Sequence, residues 1–240
     1  MVILIRKRHI HVALIFFFLT CCAVLCAGRD EALSAMSDIS PSADYLFVID
    51  AGHGGEDGGA VAVDGTSESG INLEIALKLN DLLRFFGQKT AMIRTDDIAV
   101  NTPGLATFQQ RKSSDLKNRA DFVNRYDNAV LVSIHQNSLP SVPSVHGAQV
   151  FYNTRPYSDV LAAYIQTALN TTVNNGNQKH TRQIPDSIYL MKHSNAPSVL
   201  VECGFLSNAA ETALLKQPKH QYKIAASILS GILSAQKDIL

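Results

Sequence analysis

The chain has 240 residues, 46% of them apolar, which is enough to bury one sizeable core and excludes a disordered chain. Its 21 Lys and Arg residues balance 21 Asp and Glu, so no net field draws in nucleic acid or an anionic surface. Composition excludes these classes without naming a partner.

The N-terminal segment stands apart. Arg6, Lys7 and Arg8 precede an apolar run from Val12 to Ala27, the pattern of a secretion signal or an N-terminal anchor. The stretch from Ile10 to Gly28 is just long enough to cross a bilayer. No small-x-small cleavage site follows it directly, which favours an uncleaved anchor. The basic flank would stay in the cytoplasm and send the remainder outward. The chain is thus expected to be exported and either membrane-anchored or secreted. Cys21, Cys22 and Cys26 lie within the apolar run, and only Cys203 remains in the body of the chain. The exported part is therefore expected to hold no internal disulfide. Residues 29–44 are small and polar and read as a linker. The expected organisation is an anchor over 1–28, that linker, and one domain over 45–240.

From Tyr45 onward strands alternate with helices. "YLFVI" reads as a short strand that ends in the glycine-rich turn "DAGHGGEDGGA". "INLEIALKLNDLLRFF" follows with Ile75, Leu79, Leu82 and Phe86 at helical spacing and Gly87 as its stop. "KTAMIRT" is a second strand. Residues 101–114 have no clear period and are expected to form a surface loop. "SSDLKNRADFVNRYD" predicts a helix, and "AVLVSI" a strand buried on both faces. "GAQVFYN", "SDVLAAYIQTALN" and "PSVLVECGF" continue the alternation, and "YKIAASILSGIL" closes it with an apolar helix. This order predicts an α/β fold with one open sheet, mostly parallel or mixed, and helices on both faces.

Polar residues at element ends are the candidates for chemistry, because sites in open α/β sheets are built at strand termini. His53 follows the first strand, His135 follows "AVLVSI", Glu202 ends "PSVLV", and Glu68 precedes the first helix. Singly, each has a structural explanation. As a set, two imidazoles and two carboxylates fit a zinc site with an open position, since two His and one Glu plus water is a catalytic arrangement whereas structural zinc favours closed, cysteine-rich sites.

"VIDAGHGGEDGGA", the glutamate before "INLEIALKL", "MIRTDD", "LKNRADFVN", "LVSIHQNS" and "LVECGFLSN", in this order, resemble the zinc-dependent N-acetylmuramoyl-L-alanine amidase family. The similarity runs from about Tyr45 to the C-terminus. It implies cleavage of the amide between the lactyl group of N-acetylmuramic acid and L-alanine in peptidoglycan. It also implies Zn2+ held by His53, Glu68 and His135, with Glu202 as the catalytic acid/base. Asn137 and Asp57 fall in the same motifs and have structural and functional readings of equal weight. Arg94 and Arg119 match family positions and are expected to make structural ion pairs. Cys203 stands where the family more often has an aliphatic residue and is read as a small buried hydrophobe. His146, His180, His193 and His220 match no ligand motif. Only "LPSVPSVH" separates "SIHQNS" from "GAQVFY", too short for the regulatory helix that plugs the zinc in the cell-division amidases of the family.

"SIYLMK", "ETALLKQPKHQYKIAASILSGIL" and "QQRKSSDLKNR" are similar to the sporulation members of the family. That resemblance implies action on spore cortex, where peptide removal lets a deacetylase complete muramic-δ-lactam. The implied partners are peptidoglycan and a sporulation lipoprotein or deacetylase of the same pathway, at the forespore envelope. Two other readings use the same residues. One is a zinc peptidase acting on the stem peptide, and the other is a non-catalytic peptidoglycan-binding domain, which would not need Glu202.

Overall fold

Six strands form one mixed sheet: β1 (Leu46–Ala51), β2 (Lys89–Met92), β3 (Ala129–Asn137), β4 (Gln149–Tyr152), β5 (Arg182–Gln183) and β6 (Ser198–Phe205). The computed structural model describes residues 45–239, so the expected anchor over 1–28 and linker over 29–44 lie outside the described residues. The strand order is β2-β1-β3-β6-β4-β5. β2, β1, β3 and β6 run parallel, and β4 pairs antiparallel with β6. Six helices accompany the sheet: α1 (Glu68–Phe85), α2 (Phe108–Val123), α3 (Ser158–Thr172), α4 (Tyr189–His193), α5 (Ala209–Leu215) and α6 (Pro218–Ile239).

The central strands are apolar on both faces, and their period of two sorts the side chains into two cores. Phe47 and Ile49, Val130 and Val132, and Val199 and Val201 face one side, where Ile75 and Leu79 of α1, Ile165 of α3 and Ile228 of α6 meet them. Val48, Leu131 and Leu200 face the other side, against Ala120 and Val123 of α2 and Leu190 and Met191 of α4. Helices therefore cover both faces, as the alternation of elements requires.

Several elements depart from the sequence reading. The stretch 101–114 is a loop only as far as Thr107. There a reciprocal cap, with Thr107 accepting from the Gln110 N–H while the Gln110 side chain accepts from the Thr107 N–H, starts α2 at Phe108. β3 continues beyond "AVLVSI" to Asn137, so His135 lies within a strand rather than after it. Glu202 likewise lies inside β6. The two-residue β5 and the one-turn α4 are too short to show a period. The connection over 138–148 carries turns and no helix, as its length requires. Among the described residues, no helix is long and apolar enough to cross a membrane.

Candidate active site

The same period that builds the second core also builds the site. Counting by two along the face of Val48, Leu131 and Leu200 leads to Asp50 on β1, Ser133 and His135 on β3, and Glu202 on β6. β3 and β6 run parallel with His135 opposite Glu202, so the imidazole and the carboxyl stand side by side. Cys203 falls on the opposite face, fully buried in the first core, where burial raises its thiol pKa. It plays no part in the site.

His53 arrives from the turn after β1. It adopts φ 61°, a left-handed conformation uncommon for a residue with a side chain. The Arg119 guanidinium stabilises it by donating to the His53 carbonyl at 2.7 Å. Two glycines clear space for the rings. A Cβ on Gly52 would lie 2.2 Å from the His135 ring, and one on Gly59 would lie 2.5 Å from Glu68 Oε2. Glycine at positions 52 and 59 of "GHGGEDGG" is thus a steric requirement of the side chains packed against them.

Glu68 opens α1 and is buried. Its Oε1 faces His135 Nδ1 at 2.9 Å and accepts from the Gln136 N–H and the Asn72 amide, each at 3.1 Å. Its Oε2 accepts from the Ala60 N–H at 2.9 Å and faces His53 Nε2 at 3.4 Å. Burial alone would raise its pKa, but the two imidazoles and these donors outweigh burial and hold it down at about 2. It is a carboxylate at any neutral pH.

Among the described residues, one group of three His, Cys or acidic side chains can hold a metal ion: His53, Glu68 and His135, whose ligand atoms all lie within 4.8 Å of one another. The donor set is two imidazoles and one ionised carboxylate, which is the three-ligand pattern of catalytic zinc. His53 presents Nε2 to the cluster while Nδ1 meets Asp57 at 3.0 Å, the carboxylate–histidine arrangement that orients metal-binding imidazoles. The residues fit zinc.

Glu202 shares this cleft but not this cluster. Its Oε2 is fully shielded and has no hydrogen-bond partner. Burial pushes its pKa up to about 7, with His135 opposing and Glu68 reinforcing the shift. A buried oxygen left without a partner is costly, and a carboxyl pKa near neutrality suits proton transfer.

Beneath the site lies a polar frame. Asp50 pairs with Arg119 at 2.6 Å and accepts from Ser133 Oγ at 2.6 Å. Arg119 also pairs with Asp115 at 2.6 Å, so its expected structural ion pairing holds. Arg94 is structural in another way, bonding the carbonyls of Ala51, Gly52, Ser69 and Asp96. Asn137 turns its side chain back to the Ser138 N–H at 2.7 Å and stays out of the cleft. The sequence reading missed Asp50, Ser133 and Gln136. Their available signal was polarity inside otherwise apolar strand runs. The stretch Ser187–Met191, quoted above within "SIYLMK" but assigned no place at the site, forms one wall of it. That wall and α2 enclose a cleft of ≈330 Å³ over the His53, Glu68, His135 and Glu202 side chains. His146, His180, His193 and His220 do not line it.

Comparison with known proteins agrees with this fold and shows the family. The sequence profile of the N-acetylmuramoyl-L-alanine amidase family matches residues 47–234. A germination-specific N-acetylmuramoyl-L-alanine amidase of Bacillus subtilis is 37% identical, over 80% of this chain and 80% of that one. The structure of the CwlD amidase from Clostridioides difficile, in complex with the GerS lipoprotein, is similar with a TM-score of 0.77 and 38% identity, covering 81% of this chain and 99% of that one. An N-acetylmuramoyl-L-alanine amidase from Clostridium difficile 630 gives a TM-score of 0.67 at 30% identity, covering 79% and 95%.

Proposed function

The chain belongs to the N-acetylmuramoyl-L-alanine amidase family and acts on peptidoglycan as an amidase, and we propose that it does so as a zinc hydrolase with His53, Glu68 and His135 holding the metal and Glu202 moving the proton. Bound there, zinc supplies Lewis acidity to the scissile carbonyl and acidifies water. Glu202 accepts the proton of the water that adds to the lactyl carbonyl carbon. It then delivers that proton to the alanine nitrogen as the C–N bond breaks, so the products are the lactyl carboxylate and a free alanine amine. Asp57 holds the His53 ring, and Asp50, Arg119 and Arg94 fix the backbone that carries it. The observation that carries this reading is the Glu202 carboxyl, whose Oε2 is buried without a hydrogen-bond partner beside the His–Glu–His group.

Mass spectrometry of muropeptides digested with the zinc-loaded protein tests it. New N-terminal L-alanine is expected. Cleavage within the stem peptide would establish the peptidase reading instead, and binding without cleavage the non-catalytic one.

The physiological setting rests on the relatives. Similarity to a germination-specific amidase and to CwlD supports action on spore cortex. CwlD is found with the GerS lipoprotein, which supports a sporulation lipoprotein as a partner of this chain as well. Residues 1–28 would export the domain and tether it to the membrane of the forespore envelope. Cortex from a strain lacking the protein should then be depleted of muramic-δ-lactam, and unchanged lactam would remove the cortex role.

A further inference from the structure

Among the described residues, the cleft that holds the four site residues is lined by five carboxyl groups, Asp50, Asp57, Glu68, Asp115 and Glu202, and by only two Lys or Arg side chains. One of the two is spent. Arg119 is 2% exposed and donates to Asp50, Asp115 and the carbonyls of Ala51 and His53. The other is Lys112, on the second turn of α2. Its ammonium pairs with Asp57 Oδ2 at 3.1 Å, the same oxygen that meets His53 Nδ1. It also lies 5.9 Å from the centroid of the Phe108 ring, and its side chain is 38% exposed. An ammonium carries three donors, and one contact to Asp57 leaves two for other acceptors.

We propose that Lys112 is a specificity-determining residue that binds a free carboxylate of the stem peptide just beyond the scissile alanine. The inference rests on the amidase reading. In a muramyl peptide the residue after L-alanine is a γ-linked D-glutamate, whose α-carboxyl is left free as the acid or as its amide. Consecutive residues are about 3.8 Å apart, so a peptide with its first amide at the His–Glu–His group carries this carboxyl along the adjacent wall, where Lys112 sits one carboxylate away from His53. Without Lys112 an anionic peptide would meet Asp57, Glu68 and Glu202 and no uncommitted Lys or Arg. Asp57 and Phe108 fix the ammonium before substrate arrives, so little side-chain freedom is lost on binding.

The test compares N-acetylmuramoyl-L-alanyl-D-isoglutamate with its D-isoglutamine counterpart, which differ in one charge. The full-length, zinc-loaded wild type should favour the acid in kcat/KM by roughly 10-fold to 100-fold, the range of a charge-assisted hydrogen bond. Lys112→Met should lose that preference by slowing the acid more than the amide, and Lys112→Arg should keep most of it. Calorimetric binding of L-alanyl-D-isoglutamate against L-alanyl-D-isoglutamine should give the same order without turnover. Equal losses on both substrates in Lys112→Met would make the lysine only a brace for Asp57 and overturn the proposal, as would an unchanged preference. Wild-type protein that cleaves neither substrate would instead sink the amidase reading, while the binding arm would still judge Lys112.

Discussion

In the proposed mechanism Glu202 moves a proton and the cluster beside it holds a metal, and single substitutions can read the two roles apart. Glu202→Gln keeps size and polarity but cannot shuttle a proton. Zinc content should survive while amide hydrolysis falls by roughly 10²–10⁴-fold; loss of metal would move Glu202 among the ligands. His135→Ala removes one of the three donors, and elemental analysis should find zinc well below one per chain. Full occupancy there would refute the ligand set. The metal-free protein offers a pH test. Burial lifts the Glu202 pKa from 4.5 to about 7. Its folded value exceeds its unfolded one, so the folded state binds more protons between them and stability falls as pH rises across that window. His135, also raised from 6.5, adds a decline of the same sign at higher pH. Glu68 has the opposite sign, since its value of about 2 makes its contribution fade only as pH falls below 4.5. Thermal unfolding of metal-free protein between pH 5 and 7 should therefore show a decline that Glu202→Gln flattens. An equal slope in the variant would mean that the Glu202 carboxyl titrates normally.

At the scale of elements, the contact between α3 and α6 is the most exacting. Gly231 sits inside α6, where glycine ordinarily costs about 1 kcal/mol against alanine. A Cβ there would lie 2.4 Å from the Ile165 Cα of α3, and backbone cannot swing aside as a flexible side chain can. Gly231→Ala should therefore destabilise by about 1–3 kcal/mol despite its better helix propensity, measured by chemical denaturation. A stabilised variant would show that the two helices can separate freely. Sequence reading followed the long elements well. "INLEIALKLNDLLRFF" has a clean helical stripe, and "AVLVSI" has the unbroken apolarity of a strand covered on both faces. It failed where local signals were weak or misread. The Thr107–Gln110 cap was legible as a Thr followed three residues later by Gln, yet the polar, aperiodic stretch around it read as a loop.

At the scale of the whole molecule, the sheet closes its two cores within residues 45–239, and the family profile matches 47–234. A chain beginning at Asp44 should accordingly fold, stay soluble and bind zinc. Aggregation of that truncation, with longer forms remaining soluble, would show that the N-terminal apolar run belongs to the fold. The two cores also explain the location of the site. One side of the sheet is sealed by three long helices. The other is covered by α2 and the short α4, and a cleft remains between them over the strand ends.

What the sequence by itself determined was the alternation of elements, the α/β class and the identity of His53, Glu68, His135 and Glu202 as polar residues near strand and helix ends, because periodicity and polarity are local properties of the chain. Only the tertiary structure decided that they converge. The parallel register that sets His135 beside Glu202, and α1 delivering Glu68 to both imidazoles, join residues up to 67 positions apart. The burial that leaves Glu202 Oε2 unpartnered, and the charge count that singles out Lys112, likewise depend on which side chains surround a point in space, and no stretch of sequence carries that information.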